Sequence, residues 1–169
     1  KVYIEKMCEF YSRQGKTKFT IIRHSNIYGP HDKFDLEKSH VFGATMTKVC
    51  TAADGKITVW GAGEEARDLL FIGDLMDFVR CAIVDQAAQY GLYNCGAGKA
   101  VTIRRLVEMI VAAGNPDLAI EHDLTKPTIK TSLFLDCSRA QDELGWRPRM
   151  SLVEGIGQTL RWWHAHIGS

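Results

Sequence analysis

Short β-branched apolar runs alternate with capped, helix-patterned segments along the whole chain, and this alternation restricts it to an α/β architecture. KVYIEKMCEFYSRQG spaces Val2, Met7, Phe10 and Tyr11 as a helix does and stops at Gly15. KFTII reads as a buried strand. Residues 41–53 are weakly helical, and Asp54-Gly55 is a turn signal ahead of the strand KITVW. Asp74 is the expected N-cap of a helix with Leu75, Phe78, Val79, Ala82 and Ile83 on its apolar face. GLYNCG is a short strand, and Thr102 caps the helix IRRLVEMIVAA, which stops at Gly114 before Pro116. AIEHD and SLFLD are further strands. Ser138-x-x-Gln141 and Ser151-x-x-Glu154 have capping-box spacing, the second opening a final helix from Leu152 to about Ile167.

A length of 169 residues suits one domain, or two small ones sharing a core. The charge is near balance, with 21 basic against 20 acidic residues and no basic block, so a nucleic-acid footprint is not indicated. No apolar run approaches the roughly 18 residues of a membrane span, and no signal peptide is visible. The five cysteines are scattered without a CxxC pair, which points to a reducing, cytoplasmic setting.

One segment does not fit a plain connection. RHSNIYGPHDKFDLEKSH, residues 23–40, holds three histidines and three acids around a Gly-Pro break, far beyond the roughly 2–6 residues of an ordinary loop. His31, Asp32, Asp35, Glu37 and His40 are metal-ligand types, but no pair has the i,i+4 spacing of a helical zinc motif, and a solvated loop is favoured. GAGEEA (61–66) has G-x-G-x-x-A spacing after a strand. Glu64 and Glu65 would repel a pyrophosphate, however, and Leu69-Leu70-Phe71 intervenes before any helix, so it is not read as a dinucleotide turn. GAGK (96–99) lacks Walker spacing and is a turn. Trp162, Trp163, His164 and His166 lie on an amphipathic helix, where packing is their expected role.

Taken together and in order, RHSNIYGPHDKFDLEKSH, WGAGEEARDLLFIGDL, YNCGAGKAVTI and LFLDCSRAQDELGWRPRMSLVEGI resemble the extended short-chain dehydrogenase/reductases acting on nucleotide sugars, the NAD-dependent epimerase/dehydratase family, and within it the GDP-L-fucose synthases. The resemblance covers nearly the whole chain but only the C-terminal half of that fold. It implies the end of a Rossmann-type parallel sheet (residues 1–30 and 68–96) and a small α/β nucleotide-sugar domain (31–67 and 97–169). It also implies a nicotinamide cofactor, NADP or NAD, held mainly by a half that precedes this sequence. The first helix would pair with its twin in a homodimer.

The same resemblance assigns site residues. Lys1 matches the lysine of the Y-x-x-x-K pair, with its tyrosine upstream of residue 1, and would hold the nicotinamide ribose and lower the phenol's pKa. His24, Ser25, Asn26 and Ile27 would line the nicotinamide pocket, Asn26 making the direct polar contact. His40, in Ser39-His40, matches the acid/base histidine of epimerisation and also borders the cofactor, a role an imidazole suits near neutral pH. Lys48, Trp60 and Arg67 would bind the nucleotide-diphosphate sugar. Two departures bear on the base and the sugar. Lys48 stands where arginine is expected, and Ser132 stands where many relatives have an arginine four residues before Asp136, with Lys126 or Lys130 nearby as substitutes.

The implied activity is epimerisation and reduction of a nucleoside-diphosphate 4-keto-6-deoxy sugar. The sequence leaves open a 4-epimerase or 4,6-dehydratase, a non-catalytic protein that binds nucleotide sugar or dimerises, and a metal-dependent hydrolase built on residues 31–40. With no glycine-rich turn and no Y-x-x-x-K tyrosine, the 169-residue polypeptide is expected to be inactive alone.

Overall fold

The computed structural model describes residues 1–36, 38–126 and 131–168. Its elements run α1 (Val2–Ser12), β1 (Phe19–His24), β2 (Asn26–Tyr28), α2 (Val41–Thr51), β3 (Lys56–Trp60), β4 (Ala66–Phe71), α3 (Ile72–Asp85), β5 (Tyr90–Cys95), β6 (Ala100–Thr102), α4 (Ile103–Gly114), β7 (Ala119–Asp123), β8 (Ser132–Leu133), α5 (Ser138–Leu144) and α6 (Leu152–His166). The expected α/β class is the observed one. Strand pairs distant in sequence are parallel: β1 with β5, β2 with β4, and β3 with β7. β6 joins β4 antiparallel, and β8 joins β4 parallel. None of the described helices is long and apolar enough to cross a membrane.

Two features of this sheet system set up the site. The first is a change of partner at Ser25. β1 is zipped to β5 as far as His24 opposite Cys95, the Ser25 amide donates to Cys95 O at 2.9 Å, and β2 then pairs with β4 from Asn26. Where neighbouring strands part at their carboxyl ends, a crevice opens. The second is β4. Its Leu69 and Phe71 enter one core, with Tyr28, Phe42, Met46, Leu106, Ile110 and Trp163, while Leu70 enters the other, with Phe78, Tyr93, Ala140 and Trp146. Successive side chains of a strand point to opposite faces, so an uninterrupted Leu-Leu-Phe run is what a strand buried on both faces requires. α5 and Trp146 thereby pack on the β5 side, with α3.

Several local expectations change. The segment 23–40 is not one loop: Arg23 and His24 finish β1 and Asn26–Tyr28 form β2, so the connection proper starts at Gly29. β1 is half-buried to exposed rather than buried, and Ile83 of α3 is exposed. SLFLD forms only the two-residue β8. Thr102 does cap α4, accepting from the Arg105 amide at 3.2 Å, and Ser151 with Glu154 forms the expected reciprocal capping box. Ser138 does not cap α5; Cys137 is the boundary residue, and the Ser138 amide is taken by Asp136 Oδ1 at 2.9 Å.

Asp74 is the most informative correction. α3 starts earlier, with Phe71 at its N-cap, so Asp74 lies inside the first turn and its carboxylate is free for longer-range work. It accepts from the amides of Arg149 (3.0 Å) and Met150 (3.1 Å), and its carbonyl accepts from Trp146 Nε1 at 3.0 Å. One buried acid thus clamps the LGWRP turn. Asp74→Ala leaves two amides without their acceptor and is expected to cost about 2 kcal/mol, read from urea unfolding.

Candidate functional site

An open cleft of about 690 Å³ lies beside the point where β1 becomes β2. It is lined by His24, Ser25, Asn26 and Ile27 from that strand, by Asp32 and His40 from the following connection, by Arg67 and Asp68 of β4, and by the 131–135 segment. A smaller recess of about 290 Å³ adjoins it and shares Asn26, Ile27, His40 and Arg67 with the cleft. Six of the nine residues singled out from the sequence, His24, Ser25, Asn26, Ile27, His40 and Arg67, therefore face one space.

Each is positioned by a definable contact. The Asn26 side-chain amide donates to Asp68 O at 3.2 Å, fixing β2 to β4. His24 Nδ1 lies 2.8 Å from Ser25 O, and because a carbonyl only accepts, that nitrogen carries the hydrogen. Ser25 Oγ is buried with no partner among the described residues. His40 is exposed at the N-cap of α2, held at that position from both sides. Upstream, the Ser39 hydroxyl donates to Asp35 O; downstream, Gly43 lets the helix pass against the loop, since a Cβ there would stand 2.6 Å from Lys33 O. The loop is further pinned to α6 by aromatic contact: Trp162 meets His31 at 4.6 Å and Phe34 at 5.7 Å between ring centres, and stacks on His166 at 4.9 Å. The expected packing role of Trp162 and His166 thus extends to the loop that carries His40.

Sequence reasoning passed over Asp68, although it lies inside the quoted run WGAGEEARDLLFIGDL. Only 2% exposed, its carboxylate accepts from the amides of Ala97 (2.7 Å), Gly98 (3.3 Å) and Leu135 (3.0 Å). It ties the GAGK turn and the 131–135 segment to β4 at once. Gly96 is required for this approach, because a Cβ there would sit 2.5 Å from Asp68 Oδ2. Arg67 is engaged as well: Nη1 donates to Ala66 O at 2.9 Å and to Thr131 O and Oγ1 at 3.1 and 2.9 Å. Asp32, weighed earlier only as a metal ligand, lines the cleft with His40. Among the described residues no three His, Cys, Asp or Glu side chains come together as a metal site.

Lys1, Lys48 and Trp60 lie outside the lining of the cleft. Lys1 is exposed at the N-cap of α1, one turn from Glu5, whose carboxylate binds Arg23 at 2.5 and 3.0 Å and so ties this end of α1 to the residue before His24. Lys48 donates to Thr58 O at 2.7 Å, and burial lowers its pKa. Trp60 is 60% exposed, with Lys126 Nζ 5.6 Å from its ring centre. Lys130, the other suggested substitute cation, lies outside the described residues.

Comparison with known proteins gives this geometry a context. The profile of the NAD dependent epimerase/dehydratase family matches residues 1–96. The chain is 34% identical to a putative GDP-L-fucose synthase 2 of Arabidopsis thaliana, over 96% of its own length and 50% of the relative's. It is 30% identical to the GDP-L-fucose synthase of Escherichia coli (strain K12), over 93% of this chain and 52% of that one. In fold it is similar to the UDP-glucose 4-epimerase of Thermotoga maritima solved with UDP-glucose, with a TM-score of 0.83 at 24% identity, covering 98% of this chain and 52% of the other. It spans about half the length of the curated relatives it matches. The parallel strands, the partner change at Ser25 and a family profile that spans more than half the chain lead to one conclusion: this chain belongs to the NAD dependent epimerase/dehydratase family.

Proposed function

We propose that these residues supply the nucleotide-sugar side of an active site that epimerises and reduces a nucleoside-diphosphate 4-keto-6-deoxy sugar, a reading supported by the similarity to GDP-L-fucose synthases. The observation that carries the reading is the shared wall: His24, Ser25, Asn26 and Ile27, His40, and Arg67 line one cleft. In this reading residues 1–30 and 68–96 belong to the cofactor domain, and 31–67 with 97–169 to the sugar-nucleotide domain.

A nicotinamide dinucleotide, NADPH in the fucose synthase reading, would supply hydride. The cleft suits its polar carboxamide, since Ser25 Oγ is buried without a partner beside Asn26. His40, at the free end of a helix and exposed to the cleft, donates the proton that quenches the carbanion formed beside the keto group during epimerisation. Arg67 offers a fixed cation for the diphosphate, held in place by Thr131, while Lys48 and Trp60 reach the outer parts of the nucleotide. Lys1 acts on the catalytic tyrosine. α1 serves as the homodimer element, with Val2, Tyr3, Ile4, Phe10 and Tyr11 each more than half exposed on it. The five free cysteines agree with a cytoplasmic setting.

The 169-residue polypeptide is expected to show no NADPH oxidation with a 4-keto-6-deoxy sugar nucleotide. It is nevertheless expected to bind a GDP-sugar. Titration followed by amide NMR should move the signals of Asn26, His40 and Arg67, with Arg67→Ala weakening binding roughly tenfold or more. A GDP-sugar that leaves all three signals unmoved at millimolar concentration would sink this assignment.

A further inference from the structure

Asp32 is the one carboxylate of the cleft whose polar atoms are not accounted for. Its Oδ1 accepts from the Lys33 amide at 2.7 Å, whereas Oδ2 is buried and has no hydrogen-bond partner among the described residues. A buried carboxylate oxygen without a donor costs free energy, so a fold tolerates one where it does something else. The other charged groups facing this space are committed or lie apart. The Asp68 carboxylate is taken by three amides, Arg67 by Thr131, and His24 Nδ1 by Ser25 O. Glu65 borders only the smaller recess, which it shares with His40. Among the groups lining the cleft, His40 is the one whose charge acts on the Asp32 carboxyl.

The backbone is bent to present this pair. His31 adopts φ +66°, an uncommon left-handed conformation that His, like Asn and Asp, takes more readily than other side chains, and its ring lies against Trp162. The turn places the next residue, Asp32, back on the cleft that His40 reaches from the far end of the connection.

We propose that Asp32 is the positioning partner of His40. Its free carboxylate oxygen accepts from the His40 ring, fixes which imidazole nitrogen faces the sugar, and offsets the positive charge when that ring holds a proton. The hydrogen on the ring nitrogen facing Asp32 stays on the imidazole; no bond to Asp32 is made or broken. This rests on the acid/base reading of His40, yet the pairing can be measured without substrate or turnover.

Burial raises the pKa of the Asp32 carboxyl above the usual carboxylate value, while the Lys33 amide and the charge of His40 pull it back. Two measurements on the 169-residue chain follow. In His40→Gln, at an exposed position where folding is not at stake, the Asp32 side-chain carboxyl resonance should titrate at higher pH than in the parent chain, because a cation that favoured the carboxylate has gone. In Asp32→Asn, ring-nitrogen NMR of His40 should change from one dominant tautomer to a mixture. The Asn variant should also melt higher at neutral pH. A carboxyl whose folded pKa is raised opposes folding once it ionises, so this gain should vanish below the usual carboxylate range. An Asp32 midpoint that does not move in His40→Gln overturns the pairing, whatever the tautomer does. Should the pairing hold while GDP-sugars leave the cleft untouched, the dyad stands and the substrate reading falls.

Discussion

Asp68→Ala is expected to cost on the order of 3–5 kcal/mol, because it strips three backbone amides of one buried acceptor. The carboxylate reaches Ala97, Gly98 and Leu135 at 2.7, 3.3 and 3.0 Å, so its loss frees the GAGK turn and the wall of the cleft together. Urea unfolding gives the magnitude. Amide hydrogen exchange gives the location: Ala97 and Leu135 should lose protection before the α4 core does. Asp68→Asn keeps one acceptor oxygen and turns an amine toward the remaining donors, so it should fall between parent and alanine variant. A loss below about 1 kcal/mol for the alanine variant would show that water replaces the carboxylate without penalty. The cleft would then owe its shape to β4 pairing alone.

Tyr28→Ala is expected to lose about 3–5 kcal/mol, the usual range for removing a buried aromatic ring. The residue closes the N-x-Y-G-P phrase and invites a catalytic interpretation from its sequence surroundings. Its ring instead packs against Phe42 at 4.4 Å and Phe71 at 5.6 Å between centres, with 2% of the residue exposed. Burial and the nearby Asp74 charge push the phenol well above its ordinary value, so it does not exchange protons near neutral pH. Gly155 of α6 lies directly against it, a Cβ there falling 2.8 Å from the ring's Cζ. Tyr28→Phe should therefore stay within about 1 kcal/mol of the parent, and a larger loss would indicate a hydroxyl bond that matters. The pair of substitutions separates ring from hydroxyl in a single thermal melt.

What could be read from the sequence, and what could not, divides at particular residues. Ser151 and Glu154, Thr102, the strands KITVW and GLYNC, and the stop at Gly114 are all local. Each depends on side chains within about one turn of the group they satisfy, so spacing alone discloses them. Asp74 was misjudged for the same reason in reverse: it is a good capping type near a helix start, but it serves amides 75 and 76 residues away. Ser138 is a local miss, since the Gln141 amide goes to Cys137 O and the Ser138 amide to Asp136. The quoted phrases also led to the cleft's strand and histidine, because those residues sit in runs whose order is itself informative.

The sequence by itself determined the α/β class, the caps at Thr102 and Ser151, and the side chains of the cleft as chemical types. Only the tertiary structure decided which of them share a space. The polar stretch 23–40 became a strand switch at Ser25, a left-handed turn at His31 and an orphaned oxygen on Asp32, with contacts to Cys95, Trp162 and the cleft wall. The physical reason is range. A cap or a strand propensity acts over a few residues of chain. Asp68 meets Leu135 across 67 residues, and no local pattern encodes a hydrogen bond whose partners are brought together by burying two hydrophobic cores on either side of one strand.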